Sequence, residues 1–307
     1  MTRFLLRRLL AAIPTLFALV TLAFFLVRFA PGGPFDDERA LPPEIEERLN
    51  ARYHLDAPLW QQYLHYLGNL LRGDLGPSFQ YRDYSVNELI AAGLPASMLI
   101  GSLAMLLALA LGIAAGSIAA LNRHRWQDHL VMSLSMTGIS VPNYVMAPLL
   151  VLLFAVTLDW LPAGGWNDAA PANLLLPVIV LALPQTAYIA RMMRASLAEV
   201  LSSDYIRTAR AKGLGMRAII LRHAMKPALQ PIVSWLGPTA AAVLTGSVVV
   251  EQIFGIPGVG RFFVQGALNR DYTLVLGIAL FYGALIVAFN LIVDLLYAAL
   301  DPRVRYR

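Results

Sequence analysis

Cysteine is absent from this chain of 307 residues, and charged residues make up only 14% of it. Without cysteine, disulfide frameworks, thiolate nucleophiles and cysteine-based zinc sites are all excluded. Soluble domains are usually about a quarter charged, whereas 58% of this chain is hydrophobic. The composition therefore predicts an integral membrane protein.

Motifs for nucleotide hydrolysis and metal binding are also absent. The two lysines, Lys212 and Lys226, follow Ala211 and Met225, so the Gly-Lys-Ser/Thr of a phosphate-binding loop does not occur. The five histidines form neither an HExxH motif nor a paired metal-ligand spacing. We expect no enzymatic activity, no catalytic residue, no metal and no cofactor bound by this chain.

Long apolar segments dominate what is present. A hydrocarbon core of about 30 Å needs roughly 20 apolar residues in a helix. Pro142 and Pro148 fall inside the third segment and predict a kink or a break in it. The first segment is too long for a signal peptide and has no cleavage site, so it predicts a retained helix. Six segments qualify as spans: about 9–30, 96–121, 130–158, 173–190, 232–250 and 274–300.

Lysine and arginine predict the orientation of these spans. With a cytoplasmic N-terminus, the inner segments hold 16 of the 24 cations and the outer loops hold 7. The short outer loop 159–172 contains Asp159 and Asp168 but no cation. Because cytoplasmic loops are enriched in Lys and Arg, both termini are predicted to be cytoplasmic. This bias explains the basic composition without nucleic acid.

The segment 31–93 is predicted to be an extracytoplasmic helical loop. Residues 43–55 and 58–71 each begin near a proline and repeat apolar residues at helical spacing, which favours two amphipathic helices. In the second helix, the apolar face holds Leu59, Tyr63, Leu67 and Leu70. Ser85 is predicted to cap a short interfacial helix, "VNELIAAGL", before the second span.

Asp294 is the acid that these boundaries place inside a span. A carboxylate near the middle of a membrane helix costs about 2.5–3.5 kcal/mol on insertion scales. Two interpretations stay open. Asp294 either lines a translocation path or forms a structural hydrogen bond between helices.

The run "GIPGVG" at 255–260 predicts a tight turn on the outer side. No strand precedes it, which argues against a dinucleotide-binding loop. Glycine and proline supply the backbone angles that a short re-entrant segment needs. The candidates for this turn and for an outer gate are Glu251, Gly255, Pro257, Gly258 and Gly260.

A basic stretch, "DYIRTARAKGLGMRAIILRHAMKPALQP" (204–231), separates two of the apolar segments. Residues 191–231 carry eight cations and two acids. Three interpretations compete: a solvated face near anionic lipid, nucleic-acid binding, which lacks an aromatic platform, and a docking helix for a partner protein. Thr208, Ala209, Lys212 and Gly213 are predicted to share a face of small residues, or Gly213 ends the helix. A second helix is predicted to end at Pro227.

The same stretch resembles the cytoplasmic coupling loop of permease subunits in binding-protein-dependent ABC importers. The family pattern is Glu-Ala-Ala, three residues, Gly, nine residues and Ile-x-Leu-Pro. With Gly213 on the family glycine, only Ala209 matches the triplet, and Pro227 comes one position late. These departures agree with the peptide-transporter branch, in which "TARAKGL" is usual. The resemblance assigns ATPase coupling to Ile206, Arg207, Thr208, Ala209, Arg210, Ala211, Lys212, Gly213 and Leu214.

The resemblance to this branch covers almost the whole chain. "RRLLAAIPTLFALVTLAFFLVRFAPGGPF", "RGDLGPSFQYRDYSVNELI" and "EQIFGIPGVGRFFVQGALNRDYTLVLG" are similar to the first permease subunit of oligopeptide importers. It implies an all-α polytopic membrane protein with the type I importer permease fold. The implied parts are an N-terminal span (1–30), the outer loop (31–93), a five-helix core (94–300) containing the coupling loop 191–231, and a cytoplasmic tail (301–307).

The implied partners are a second homologous permease, two ABC ATPase subunits that bind ATP and Mg²⁺, an extracytoplasmic peptide-binding protein and the lipid membrane. Alternative cargoes within the family are dipeptides, nickel or glutathione. An ion-coupled secondary transporter usually needs several ionisable groups in its spans. A membrane anchor that binds lipid through its basic loop is the third class considered.

Overall fold

The computed structural model describes residues 2–29 and 56–300. These residues form helices joined by turns, with an isolated β-bridge between Pro77 and Ser85. The predicted helix at 43–55 lies outside the described residues. The longer helices are α1 (Thr2–Phe29), α2 (Leu59–Leu71), α3 (Val86–Leu121), α4 (Trp126–Ser140), α5 (Asn143–Val151), α6 (Pro171–Leu201), α7 (Asp204–Ala211), α8 (Met225–Phe254), α9 (Val259–Leu268) and α10 (Tyr272–Leu300).

The chain forms two compact units. One contains Ser97–Ile256 and the chain from Ile286 onward, and the other contains Thr2–Ala96 and Pro257–Leu285. Helices α3 and α10 each contribute residues to both units. The ATPase-coupling candidates and Asp294 belong to the first unit, whereas Pro257, Gly258 and Gly260 belong to the second.

Among the described residues, four helices are long and apolar enough to cross a membrane, and six spans result if each of two bent helix pairs counts as one. Four of the predicted segments overlap the four long helices, and the third overlaps the first bent pair, Trp126–Ser140 with Asn143–Thr157. The second bent pair, Ser247–Phe254 with Val259–Leu268, overlaps the predicted segment 232–250 only at its end. Several predicted limits were too short: the second span begins at Val86, the fourth continues to Leu201, and the fifth lies within α8. Polar residues at the ends of these helices lowered the apolar signal without ending the helix.

The break predicted in the third span is confirmed and lies at Pro142. Helices α4 and α5, the latter with a following π turn to Thr157, form a pair bent by 104°. Val141 is extended, with φ −92° and ψ 114°, as expected before a proline. Pro148, by contrast, lies inside α5 without ending it.

Close helix packing in the first unit depends on two glycines of α3. A Cβ atom on Gly116 would lie 2.4 Å from the backbone oxygen of Ala190, and one on Gly112 would lie 2.7 Å from the side chain of Ile189. Both contacts are with α6. Small residues four positions apart are typical of tightly packed membrane helices. This pair therefore sets the distance between α3 and α6.

In the second unit, α2 packs on α1. Tyr66 of α2 forms a buried cluster with Val20, Phe24 and Leu276, and Tyr63 packs against it. The hydroxyl groups of Thr21 and Tyr63 are hydrogen bonded at 2.6 Å. The predicted helix is confirmed. Its predicted apolar face was wrong at one position, because Leu59 is 39% exposed and does not lie in the buried cluster.

The capping role of Ser85 is confirmed. Its hydroxyl accepts a hydrogen bond from the Glu88 N–H at 3.3 Å, and the Glu88 carboxylate accepts one from the Ser85 N–H at 2.8 Å. This reciprocal pair is a capping box. A separate interfacial helix was wrong, since Val86–Leu121 is continuous and includes Pro95.

Candidate functional site

The predicted coupling segment forms a two-turn helix, α7, with a defined end. The Gly213 N–H donates to the Arg210 oxygen at 2.9 Å, and the Leu214 N–H donates to the Ala209 oxygen at 3.3 Å. These two bonds form a Schellman motif, whose αL position is filled by Gly213 at φ +79°. Gly213 therefore ends the helix, as one of the two predictions stated.

The faces of α7 differ from the predicted face of small residues. Ile206 and Ala209 are buried, with 0% and 7% of their surface exposed, and α7 packs through them against the segment Ile219–Ala224. The prediction that Ala209 shares an accessible face with Thr208 and Lys212 was therefore wrong. A Cβ atom on Gly213 would meet nothing within 4 Å, so glycine is favoured here by the positive φ and not by the close approach of another group. The exposed residues are Arg207, Thr208, Arg210, Ala211, Lys212, Gly213 and Leu214.

The chain beyond α7 returns as one helical run. It restarts at Met216, passes through a π turn at Ile219–Ala224 and continues as α8 to Phe254. The predicted end at Pro227 was wrong. In the π turn the Met225 N–H donates to the Ile220 oxygen. The helix Met225–Phe254 then continues through Pro227, Pro231 and Pro238. The predicted loop 191–231 is thus largely helical.

An ion pair joins α4 to α6 in the same unit. Arg194 donates from Nε and Nη2 to the two carboxylate oxygens of Asp128, at 2.5 and 2.7 Å. The Asp128 side chain is 2% exposed and that of Arg194 is 28% exposed. A bidentate pair with one buried partner holds two helices in a fixed orientation. By contrast, Arg207 and Asp204 pair at 3.3 Å on the surface of α7, where the pair contributes little.

Glu251 is a buried carboxylate within α8 that sequence reasoning placed only in a turn. It is 0% exposed, and its Oε1 accepts hydrogen bonds from the hydroxyl groups of Ser97 at 2.7 Å and Ser247 at 2.5 Å. The fifth predicted span stopped at residue 250, one position short. Ser247 could have indicated that Glu251 lies on a helix beside a hydrogen-bond donor, because residues four positions apart share a helical face. Asp294 is therefore one of at least two acids within the long helices, and it is half-buried on α10.

The turn predicted at 255–260 is confirmed as a turn between α8 and α9. Gly255 ends α8 at φ +66°, and Gly258 is the N-cap of α9. In the first unit, the Gly165 N–H donates to the Phe254 oxygen at 2.7 Å, which ties the end of α8 to the 159–170 segment. Pro257 is exposed, whereas Gly258 and Gly260 are buried. A gating role for these residues stays a prediction.

Asp271 organises the second unit and was not predicted. Its buried carboxylate accepts hydrogen bonds from the Ser78 hydroxyl at 2.5 Å and from the N–H groups of Phe79 and Gln80 at 3.0 and 3.1 Å. It also caps α10 by accepting the Leu274 N–H at 3.1 Å. The 78–80 segment is thereby held at the start of α10.

Comparisons with known proteins agree with this architecture. Residues 112–306 match the model of the binding-protein-dependent transport system inner membrane component, and residues 1–98 match the N-terminal model of the corresponding membrane component. The chain is 53% identical to the oligopeptide transport system permease protein OppB of Haemophilus influenzae over 306 residues, with 100% of both chains covered. It is 55% identical to OppB of Escherichia coli K12 over the same length and coverage.

The chain is also similar, at lower identity, to a dipeptide permease and to two solved ABC transporters. The chain is 42% identical to the dipeptide transport system permease protein DppB of Bacillus subtilis, covering 99% of this chain and 98% of that one. It resembles the inward-facing MetNI methionine ABC transporter with a TM-score of 0.55 and 17% identity, covering 69% of this chain and 96% of that one. An amino acid ABC transporter solved with histidines gives a TM-score of 0.55 at 19% identity, with 69% and 94% covered.

The curated relatives are permease proteins, and the fold is that of ABC importer permeases. The chain is accordingly a multi-pass protein of the bacterial inner membrane and a transport component rather than an enzyme. By its match over residues 112–306, it belongs to the family of binding-protein-dependent transport system inner membrane components.

Proposed function

We propose that this chain is a permease subunit that imports oligopeptides, driven by ATP hydrolysis on partner subunits, with α7 as its coupling helix. Oligopeptides are proposed as the cargo because the chain is 53–55% identical, over its full length, to oligopeptide permease proteins. The dipeptide permeases share less, at 42% and 38%. An ion-coupled secondary transporter is not favoured, because residues 112–306 match a binding-protein-dependent transport component.

The packing of α7 supports the coupling role. Ile206 and Ala209 anchor the helix to the segment 219–224, while the residues around Arg210 and Lys212 face outward. A partner that displaces α7 therefore pushes on 219–224, and this segment continues directly into α8. At 30 residues, α8 is roughly 45 Å long, enough to cross a bilayer. Movement at α7 would thus reach the far end of α8 through one continuous helix.

A hydrogen bond near the far end of α8 also supports the proposal. Glu251 is bonded there to Ser97 of α3, so a shift of α8 must either move α3 with it or exchange these hydrogen bonds. A buried carboxylate that loses its donors is costly. The pair therefore favours discrete arrangements of α3 and α8, which suits alternating access between two states.

The remaining partners follow from this role. The ATPases would bind ATP and Mg²⁺, a second homologous permease would complete the pore, and a peptide-binding protein would dock on the extracytoplasmic side. Both chain termini would be cytoplasmic, as the distribution of Lys and Arg predicts. Arg210 and Lys212 would meet acidic groups on the ATPase.

The test is charge reversal on α7 in the assembled transporter. Arg210→Glu with Lys212→Glu is expected to weaken ATPase association and to abolish ATP hydrolysis stimulated by the peptide-loaded binding protein. Arg123→Glu is the matched control, because Arg123 is exposed in a different turn predicted to be cytoplasmic. Unchanged association and stimulation in the double variant would rule out coupling through α7.

Cargo is tested separately from coupling. Peptide uptake into proteoliposomes is measured with a labelled pentapeptide and a labelled dipeptide, in the presence of the cognate binding protein. Preferential pentapeptide uptake supports the oligopeptide assignment. Uptake of the dipeptide alone would overturn it while leaving the importer role intact.

A further inference from the structure

The second unit contains an open cavity of about 570 Å³, and none of its described lining residues belongs to the coupling segment. Side chains of α1 and α2 line it, with the loop around Pro77 and Phe79 and the start of α10. Its volume falls within the usual range of about 300–1,000 Å³ for small-molecule sites. Among the described lining residues there is no carboxylate, whereas an arginine, a histidine and three side-chain amides are present.

Arg28 supplies the positive charge of this cavity. Its guanidinium lies 5.3 Å from the ring centre of Phe24 and 5.2 Å from that of Tyr272. Its Nε is buried and has no hydrogen-bond partner in the described part of the chain. Aromatic faces attract a cation but accept no conventional hydrogen bond. A buried guanidinium nitrogen that lacks an acceptor is costly, and an anionic ligand would offset that cost.

Tyr66 adds a donor beside this charge. The Tyr66 hydroxyl is buried and also lacks a partner among the described residues. Burial raises the pKa of Tyr66 to about 12, so the phenol remains protonated and able to donate at neutral pH. Gln61 and Asn69, from the same flank of α2, line the cavity as well. The available groups are therefore those that bind an anion with several oxygen atoms.

The position of Arg28 indicates where such an anion would come from. Arg28 is the second-last residue of the apolar span Leu10–Phe29. Because about 20 apolar residues cross the hydrocarbon core, the end of this span is expected at the depth of the lipid headgroups. On α2, Trp60 and Leu64 are 62% and 56% exposed, on a different flank from the cavity. An exposed tryptophan beside an apolar surface is typical of a helix at the membrane interface.

We propose that this cavity binds the phosphate of a membrane phospholipid headgroup, held by Arg28 and the Tyr66 hydroxyl. The lipid would bridge α1 and α2 at the membrane surface. We infer this lipid site in addition to the proposed cargo import and to the proposed coupling role of α7.

The experiment measures lipid binding to the whole transporter, purified in a phosphate-free maltoside detergent, by native mass spectrometry. The probe is the soluble lipid dihexanoylphosphatidylglycerol. Wild type is expected to bind it saturably, and Arg28→Gln to weaken binding about tenfold or more, since hydrogen bonds to charged groups are the strong ones. Arg72→Gln is the matched control, because Arg72 is exposed and does not line the cavity. Equal affinity in Arg28→Gln and wild type would overturn the proposal.

Tyr66→Phe keeps the test decisive if Arg28→Gln fails to assemble. This variant removes one oxygen atom and preserves the packing against Phe24. A merely structural role predicts unchanged lipid affinity, because the hydroxyl has no partner to lose among the residues that the structure describes. The proposal predicts affinity several-fold below that of wild type, and unchanged affinity contradicts it.

Three further probes identify the source of the anion. Dihexanoylglycerol, which lacks the phosphate, is expected not to bind at the site. Inorganic phosphate and trialanine are expected not to displace the lipid at equal concentration. Displacement by phosphate would show that a free anion occupies the cavity, and displacement by trialanine would identify a peptide carboxylate; either result overturns the lipid assignment.

Discussion

Ser97 on α3 donates a hydrogen bond of 2.7 Å to Glu251 near the end of α8, although 154 positions separate the two residues. Ser247 donates to the same carboxylate oxygen from one helical turn away. All three side chains are buried, with at most 3% of their surface exposed. The contact fixes α3 against α8 at the end of α8 opposite the coupling segment.

Removing the Ser97 hydroxyl tests the energetic importance of this contact. Ser97→Ala leaves the buried carboxylate with one donor fewer, and we expect the free energy of unfolding to fall by about 1–3 kcal/mol. Thermal denaturation of the purified transporter measures it. Ser102→Ala, on an exposed position of the same helix, is expected to leave the midpoint unchanged. Equal midpoints for the two variants would contradict the prediction.

Substitutions at Glu251 separate hydrogen bonding from volume. Glu251→Gln retains an oxygen that accepts from Ser97 and Ser247, whereas Glu251→Leu leaves both hydroxyl groups without it. We expect the glutamine variant to remain close to wild type in stability and the leucine variant to fall well below it. Denaturation midpoints of both variants decide this, and a leucine variant as stable as the glutamine variant would refute it.

Gly116 is expected to tolerate no side chain. In Gly116→Ala, the new Cβ would lie 2.4 Å from the Ala190 oxygen, so α3 and α6 must separate. Overpacking of this kind costs about 1–3 kcal/mol. Gly138→Ala provides the control, because its Cβ would lie 3.4 Å from its nearest neighbours, an ordinary contact distance. Comparable yields of folded protein and comparable denaturation midpoints for both variants would be inconsistent with this packing.

Gly213 and Gly215 offer a matched pair in the coupling segment. Both have open space around a new Cβ, but Gly213 has φ +79° and Gly215 has φ −66°. Gly213→Ala is expected to destabilise the end of α7 by roughly 1–2 kcal/mol, because L-residues disfavour the left-handed region. Hydrogen exchange of the α7 amides should therefore accelerate in Gly213→Ala and not in Gly215→Ala. Identical exchange in the two variants would exclude the Schellman end.

The Asp128–Arg194 pair is expected to matter far more than the Asp204–Arg207 pair. Arg194→Gln leaves a buried carboxylate unpaired, at a cost on the order of 3 kcal/mol after allowing for the partial exposure of Arg194. Arg207→Gln removes a solvated partner and should change nothing measurable. A double-mutant cycle with Asp128→Asn measures the coupling. A coupling energy near zero would contradict the structure.

Much of the fold was predictable because the signals are local. A span needs only a run of apolar residues, and a proline such as Pro142 breaks a helix through its own ring and its effect on Val141. The capping box depends on Ser85 and Glu88, three positions apart. Gly213 was identified as a possible helix end for the same reason. The coupling role of residues 206–214 came from resemblance to a family and stays a prediction.

The wrong predictions concern helix ends and buried faces, which depend on packing against residues distant in the sequence. Pro227 was expected to end a helix, but α8, which packs against α6, continues through it to Phe254. Ala209 was placed on an accessible face, yet its packing against the returning chain buries it. Periodicity along one helix does not say which side another helix covers.

Local patterns in the amino-acid order thus determined the membrane class, the spans, their breaks and the basic helix, because each depends on neighbours within one or two helical turns. Only the tertiary structure decided that Glu251 is buried against Ser97, that Asp128 pairs with Arg194 and that Arg28 faces a cavity whose described lining holds no carboxylate. These groups are brought together by chain folding over tens to hundreds of residues. Burial and hydrogen bonding are properties of that assembled environment, and no segment carries them alone.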